Sequence, residues 1–271
     1  MRNNKQPILG ILGGMGPDAT VSFYDKIVKH TCAEKDQEHI RALIYSDTAI
    51  PDRTTAILSN DPALVQAVVD EFNDSLKLFA DAGVDSVVLT CNTLTYFIPF
   101  IESKVKVINI VDETVKAVKE RAGERREERG ESEREVKVGI MATDGTVQMG
   151  LYHKALERVG LVPVSPSKDM QAKTMEIIYS QVKKTGKGNI EDFNMVLEHL
   201  LDQGCEYIIT GCTDLSWFVQ DNDFPQRVDS VDALVKASIK MMGKQYKEYS
   251  PHPVLPSLHY DSPPIRRQKA L

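Results

Sequence analysis

Long apolar runs are missing from this chain, and so is any excess of positive charge. No stretch approaches the length of a membrane span. A net charge of −6 argues against nucleic acid or an anionic membrane surface as a partner. Cysteine is scarce too: Cys32, Cys91, Cys205 and Cys212 include no C-x-x-C pair and no finger-like spacing with histidine. Neither a disulfide framework nor a metal site is expected, and reduced thiols in the cytoplasm are the simplest reading. Arg2 and Lys5 precede an apolar run, as in a secretory signal, but that run holds Gly10, Gly13, Gly14 and Gly16 and leads into a helix. With no convincing cleavage site, it reads as a first strand.

What the chain does have is a pattern that occurs twice. GVDSVVLTCNT (Gly83 to Thr93) and GCEYIITGCTD (Gly204 to Asp214) align without a gap, and in each a glycine stands eight residues before a cysteine. A second pair agrees: ILGILGGMG resembles VKVGIMATDG, with Gly10 and Gly16 six apart, as are Gly139 and Gly145. Continuous β-branched runs between helical patterns read as strands buried on both faces of a parallel sheet, and open α/β sheets build sites at the carboxyl ends of such strands. The expected fold class is therefore α/β, with two similar domains, each a mainly parallel sheet flanked by helices. Pseudo-twofold symmetry would relate them, with the site in the cleft between. The first domain is expected over 1–111 and 228–271, including a C-terminal helix and tail, and the second over 112–227.

Taken in order, the strand Ile8 to Leu12 runs into the loop GGMGPDAT, where Pro17 suits the first turn of a helix reaching about Thr31. Gly14, Gly16 and Ala19 match G-x-G-x-x-A, but with the second strand at Ala42 to Ser46 the ribose-binding acid is out of place, since Asp47 comes late. So weak a match predicts no nucleotide cofactor. Pro51, Asp52 and Arg53 follow, and Arg53 either clamps a carboxylate through its planar fork or pairs locally with Asp52. Helical periodicity from Pro62 to Ala82 leads to the first cysteine strand; Val105 to Ile110 reads as another strand, with Asp112 as the next N-cap. Lys119 to Lys137 mixes charges of both signs and is expected to be a solvated helical extension and connector.

The second half opens with a strand at Val136 to Met141 and a loop carrying Thr143 and Thr146, the latter either a ligand or only a helix cap. A strand near Leu161 to Val164 comes next, then a helix from about Met170 to Lys184, ending in Lys183 and Lys184, which would ordinarily just complement its dipole. Helix Ile190 to Gln203 leads into the second cysteine strand, helix Asp232 to Met242 is expected to pack back on the first half, and the proline-rich residues from Ser250 read as a tail.

A cysteine between a buried strand and a helix can have its pKa lowered by amides and the helix dipole. A lone one is most often an inert core residue. Two in matching register on facing halves are different, because they approach one substrate from opposite sides. That geometry removes a proton from one face of a carbon and returns one to the other, which is racemisation.

On these residues the chain resembles the aspartate/glutamate racemases of the Asp/Glu/hydantoin racemase superfamily. GGMGP, DQEHI, IPDRT, CNT, ATDGT with its following LY, IIY and GCT stand in the family's order and cover most of the chain outside the charged insertion and tail. The resemblance implies an amino-acid racemase without pyridoxal phosphate or other cofactor, with Cys91 and Cys212 as the acid/base residues. It implies an α-carboxylate held around Asn92, Thr93 and Thr213, with Thr146 nearby, a distal carboxylate clamped by Arg53 and Lys183 (or Lys184), and a wall from Gly14, Met15 and Gly16. A cytoplasmic homodimer acting on aspartate first and glutamate second is expected. Two positions depart from the family: Thr95 replaces a histidine and Asp214 a glutamate. Related activities with similar cysteines are hydantoin racemase, maleate isomerase and decarboxylase; a protein that binds an amino acid without turnover is a further alternative.

Overall fold

The protein was analysed as a computed structural model, which describes residues 6–129, 135–221 and 224–248. The expected tail and the centre of the charged insertion lie outside these residues. In chain order the first half runs β1 (Ile8–Gly13), α1 (Pro17–His30), β2 (Arg41–Ser46), α2 (Arg53–Leu58), α3 (Pro62–Asp81), β3 (Ser86–Leu89), a 3₁₀ segment (Thr93–Phe100), β4 (Lys106–Ile108) and α4 (Ile110–Arg129). The second runs β5 (Lys137–Met141), α5 (Asp144–Gln148), α6 (Leu151–Glu157), β6 (Val162–Val164), α7 (Lys168–Met175), a π-helical segment (Glu176–Val182) and α8 (Lys183–Thr185). It ends with α9 (Ile190–Asp202), β7 (Tyr207–Thr210), α10 (Thr213–Phe218), β8 (Arg227–Asp229) and α11 (Ser230–Met241).

Each half builds a four-stranded, all-parallel sheet, ordered β2-β1-β3-β4 in one and β6-β5-β7-β8 in the other. By position in its half, each strand has the same neighbours in both sheets, so the doubled sequence is a doubled topology. The central cysteine strands β3 and β7 are buried at every residue, as their uninterrupted apolar runs require. Gly83 and Gly204 enter them with φ of +72° and +82°, a left-handed turn that costs glycine little. The glycines Gly10 and Gly139, in the first strand of each half, meet side chains of the same two elements in their halves. A Cβ on Gly10 would lie 2.9 Å from Phe79 and Val87, and one on Gly139 would lie 2.7 Å from Ile208 and 3.1 Å from Leu200. Helices α3 and α9 can therefore press directly on their sheets.

The halves share one core. Leu9, Ile11 and Val88 of the first sheet and Val138, Ile140 and Ile209 of the second join a single apolar cluster with α4 and α11. α11 contacts both α1 and α4.

Several expected boundaries move for physical reasons. Asp112 does not cap α4; the helix begins at Ile110, and Asn109 accepts the Val111 amide through its side chain at 2.9 Å. The helix expected from Met170 to Lys184 is interrupted by the π-helical segment, which changes the phase of every residue after Met175. The charged stretch after Lys119 is helical to Arg129 and its first turns pack: Ala122 is buried, Arg121 donates to the carbonyls of Arg227 and Pro225, and its guanidinium lies over the Tyr207 ring. Arg121 thus ties the connector to β8, contrary to the expectation of a wholly solvated one.

Candidate active site

The carboxyl ends of β1, β3, β5 and β7 converge on one tight cavity, whose walls take six residues from each half. Cys91 and Cys212 both line it and are buried. Of the other expected residues, Met15, Arg53, Asn92, Thr93, Lys183 and Thr213 also line it. Gly14 and Gly16 line an adjoining, more open cavity that shares Met15, Arg53, Lys183 and Asp214 with the inner one. These four shared residues separate the two spaces. Thr146 stands behind the wall: it is fully buried, and its hydroxyl bonds those of Thr93 (3.1 Å) and Thr143 (3.2 Å). The helix cap at this point is Thr143.

Local structure explains each placement. Thr20 staples the first loop, its hydroxyl taking the Gly14 amide at 3.0 Å and donating to Gly16 O at 2.9 Å. Gly16 must lack a side chain, since a Cβ would lie 2.8 Å from Asp214 Oδ1. Asp52 caps α2 by accepting from the Thr55 amide at 2.7 Å, and accepts from Tyr179 Oη at 3.0 Å. Burial opposes its charge, but the Thr55 bonds and Arg53 hold the Asp52 carboxyl below its ordinary range. Asp52 and Arg53 do not form the local ion pair weighed above.

Arg53 instead reaches inward. Its Nη1 donates to the carbonyls of Ile50 (3.2 Å) and Pro51 (3.1 Å), and its Nη2 to Met15 O (3.3 Å). Three of five N–H groups are then used. The Nε–H is buried without a hydrogen-bond partner, and the guanidinium also faces the Cys91 sulfur. Burial opposes the charge, yet the Cys91 sulfur and then Asp52 hold the guanidinium above its usual range.

Cys212 has the opposite neighbour. Its Sγ donates to Asp214 Oδ2 at 3.7 Å, and that same oxygen takes Lys183 Nζ at 2.6 Å. Burial first, then Asp214, push the thiol up to about 12, against the weaker pull of Lys183 and the Asp214 and Leu215 amides. The expectation that helix position would lower this pKa fails, because α10 is short and the desolvated site is faced by a carboxylate. Lys183 also donates to Met15 O at 3.1 Å. Lys184 does not line the cavity.

The rest of the lining is held by bonds between halves. Asn92 donates to Ser230 Oγ (3.2 Å) and accepts from Tyr152 Oη (2.6 Å), and Thr213 donates to Thr90 O (3.1 Å). Thr95, where the family has histidine, is buried and donates to Asn92 O at 2.7 Å, closing the turn after Cys91. Thr54 and Tyr179 line the cavity and were not singled out from the sequence; the IIY motif was the available sign for Tyr179. Among the described residues no cluster of three His, Cys, Asp or Glu could hold a metal ion, and no helix is long and apolar enough to cross a membrane.

Two parallel α/β halves around a shared cavity are the architecture of amino-acid racemases. The aspartate racemase of Picrophilus torridus matches with a TM-score of 0.69 at 29% identity, covering 89% of this chain and 96% of that one. An aspartate racemase homologue from Pyrococcus horikoshii matches in fold, with a TM-score of 0.63 at 21% identity over 88% of this chain and all (100%) of its own. In sequence, the broad specificity amino-acid racemase RacX of Bacillus subtilis is 25% identical over 240 residues, 86% of this chain and 96% of that protein. Residues 12–238 match the Asp/Glu/Hydantoin racemase family, and the chain belongs to it. It is an amino-acid racemase, an isomerase of that family.

Proposed function

We propose that the enzyme interconverts the L and D forms of an acidic amino acid, aspartate before glutamate, with Cys91 and Cys212 as its two bases. The observation that carries this reading is that the two repeat-related cysteines line one cavity. One sulfur, as thiolate, takes the α-proton; the opposite thiol gives its proton to the other face of the carbanion. The two sulfurs end with exchanged protonation states, so the next turnover runs in reverse or follows a reset through solvent. Asn92, Thr93 and Thr213 surround the place for the α-carboxylate. Arg53 supports the distal carboxylate with its charge and its unpartnered Nε–H. Lys183 adds positive charge, although Asp214 already engages it.

The reading places the enzyme in the cytoplasm, where thiols stay reduced, and as a homodimer, which light scattering on the eluting protein checks. Incubating the protein with single enantiomers of aspartate, glutamate and neutral amino acids, followed by chiral chromatography, tests the activity. Conversion of aspartate above the others is expected. Binding of aspartate with no conversion would instead mark a protein that keeps the pocket without turnover.

A further inference from the structure

Asp214 has no part in the expected substrate contacts, yet it stands at the junction of the site. Its Oδ2 is shared by the Cys212 thiol (3.7 Å) and Lys183 Nζ (2.6 Å), while Oδ1 lies against Gly16, where any side chain would collide with it. The residue is buried, with a relative exposure of 5%. The carboxylate is thus clamped from three sides by the glycine loop, the strand-end thiol and the lysine after the π-helical segment. Such an acceptor stabilises a sulfur that keeps its proton and opposes one that has lost it.

We propose that Asp214 is the positioning residue that holds Cys212 as a thiol, and so makes Cys212 the proton donor of the ligand-free enzyme. The step it prepares is balanced: Cys212 releases its proton to carbon, the sulfur keeps the electron pair, and the new thiolate is compensated by Lys183 rather than by Asp214. The inference rests on the assignment of Cys212 as one of the two bases.

Cys91 and Arg53 line the same cavity from the first half, and four titratable groups of the second half face Cys212. Asp214 comes from its own helix, Lys183 from α8, Tyr179 from the π-helical segment and Tyr152 from α6. Nearby on β8, Asp229 is engaged with Arg227 as an ion pair of its own. Both tyrosines are raised, first by burial, and stay neutral across the working range. Asp214 and Lys183 are therefore the opposing charges that set the thiol.

Titration of the thiolate by its ultraviolet absorbance tests this without requiring activity. In each background the signal of Cys212 is the difference between the protein and its Cys212→Ser counterpart. The parent should show no Cys212 thiolate through the mildly alkaline range. Asp214→Asn, with Lys183 now unopposed, should bring it in at least about one pH unit lower, whereas Asp214→Glu should restore the parent curve. Any change in the Cys91 signal, obtained with Cys91→Ser, should be smaller, since Lys183 faces Cys91 too but, of the two thiols, Asp214 bonds only Cys212. Should Asp214→Asn fail to fold, Asp214→Ser removes the same charge and should bring the Cys212 thiolate in at lower pH likewise. A Cys212 curve unchanged by Asp214→Asn or by Asp214→Ser overturns the proposal, as does an equal shift at Cys91. A protein that converts neither aspartate nor glutamate yet shows the shift would reject the acidic-substrate reading and keep the role of Asp214.

Discussion

Cys91 and Cys212 end matched strands, in matched sheets, after matched glycine turns, but the charges around them are opposite. The Arg53 guanidinium faces Cys91, while the Asp214 carboxylate accepts from Cys212 and holds Lys183. The backbone is doubled; the electrostatics are not. Two identical thiols across one site could share a single proton with either one holding it, whereas unmatched neighbours decide which sulfur keeps the proton. The scaffold supplies opposition and the unmatched side chains supply polarity. A similar contrast holds further out: β8 ends in the buried Arg227–Asp229 pair, whereas its counterpart β4 ends in Ile108.

Removing either sulfur is the severest way to break the comparison. Cys91→Ala and Cys212→Ala should each lower racemisation by about 10² to 10⁴-fold, the usual worth of a positioned acid or base. Polarimetry on each enantiomer checks it, and near parental rates in either variant would mean that the halves do not cooperate.

Breaking the buried ion pair should damage the Cys212 side through folding. Arg227 donates to the carbonyls of Ser216 in α10 and of Val219 at its C-cap, and Asp229 caps α11 through the Val231 amide. Leaving Arg227 uncompensated in Asp229→Asn should cost about 3 to 5 kcal/mol of stability. The pH dependence has a definite sign. Although burial opposes it, Arg227 and then Lys26 hold the Asp229 carboxyl below its unfolded value. Its contribution is fully present above that unfolded value, about 3.9, and is lost as pH falls through the folded one. Urea melts from neutral pH down to the acid limb should show a steeper loss in the parent than in Asp229→Asn.

Arg53→Ala sharpens the comparison on the other side. A distal carboxylate without its fork should reduce kcat/KM for aspartate by the equivalent of about 1.5 to 3 kcal/mol. A neutral amino acid should lose less, and equal losses for both would make Arg53 a partner of Cys91 only.

The smallest effects test whether the scaffold is as doubled as it looks. Gly10→Ala and Gly139→Ala each push a methyl into side chains at 2.9 Å and 2.7 Å, so each should destabilise by about 1 to 3 kcal/mol, and by similar amounts. Thermal melts of the two variants settle this; tolerance in one half alone would show that α3 and α9 press on their sheets differently.

Much of this was written in the chain, for reasons that differ from residue to residue. The cysteine strands were legible because a β-branched run buried on both faces leaves no alternation to confuse, and a glycine eight residues before each cysteine marked the turn. Lys183 and Lys184 could not be separated, since the π-helical segment inserts a change of phase that periodicity does not carry. Thr54 and Tyr179 went unseen because they reach the cavity from helical segments in different halves. Asp214 was visible only as a departure from the family pattern. Its meaning depends on Lys183, 31 residues earlier in the chain, and on a glycine loop near the other end. The Asp112 cap was misplaced by one helical turn because Asn109, at the end of the preceding strand pattern, competes for the same job and wins.

Racemisation in heavy water, stopped within the first turnover, tests the two-sulfur account most directly. With Cys91 and Cys212 as separate bases, the proton removed is not the proton returned. The product enantiomer should carry deuterium at its α-carbon from the start, while the recovered substrate remains protiated. Equal early deuteration of product and recovered substrate would mean that one base serves both faces, and would contradict the account.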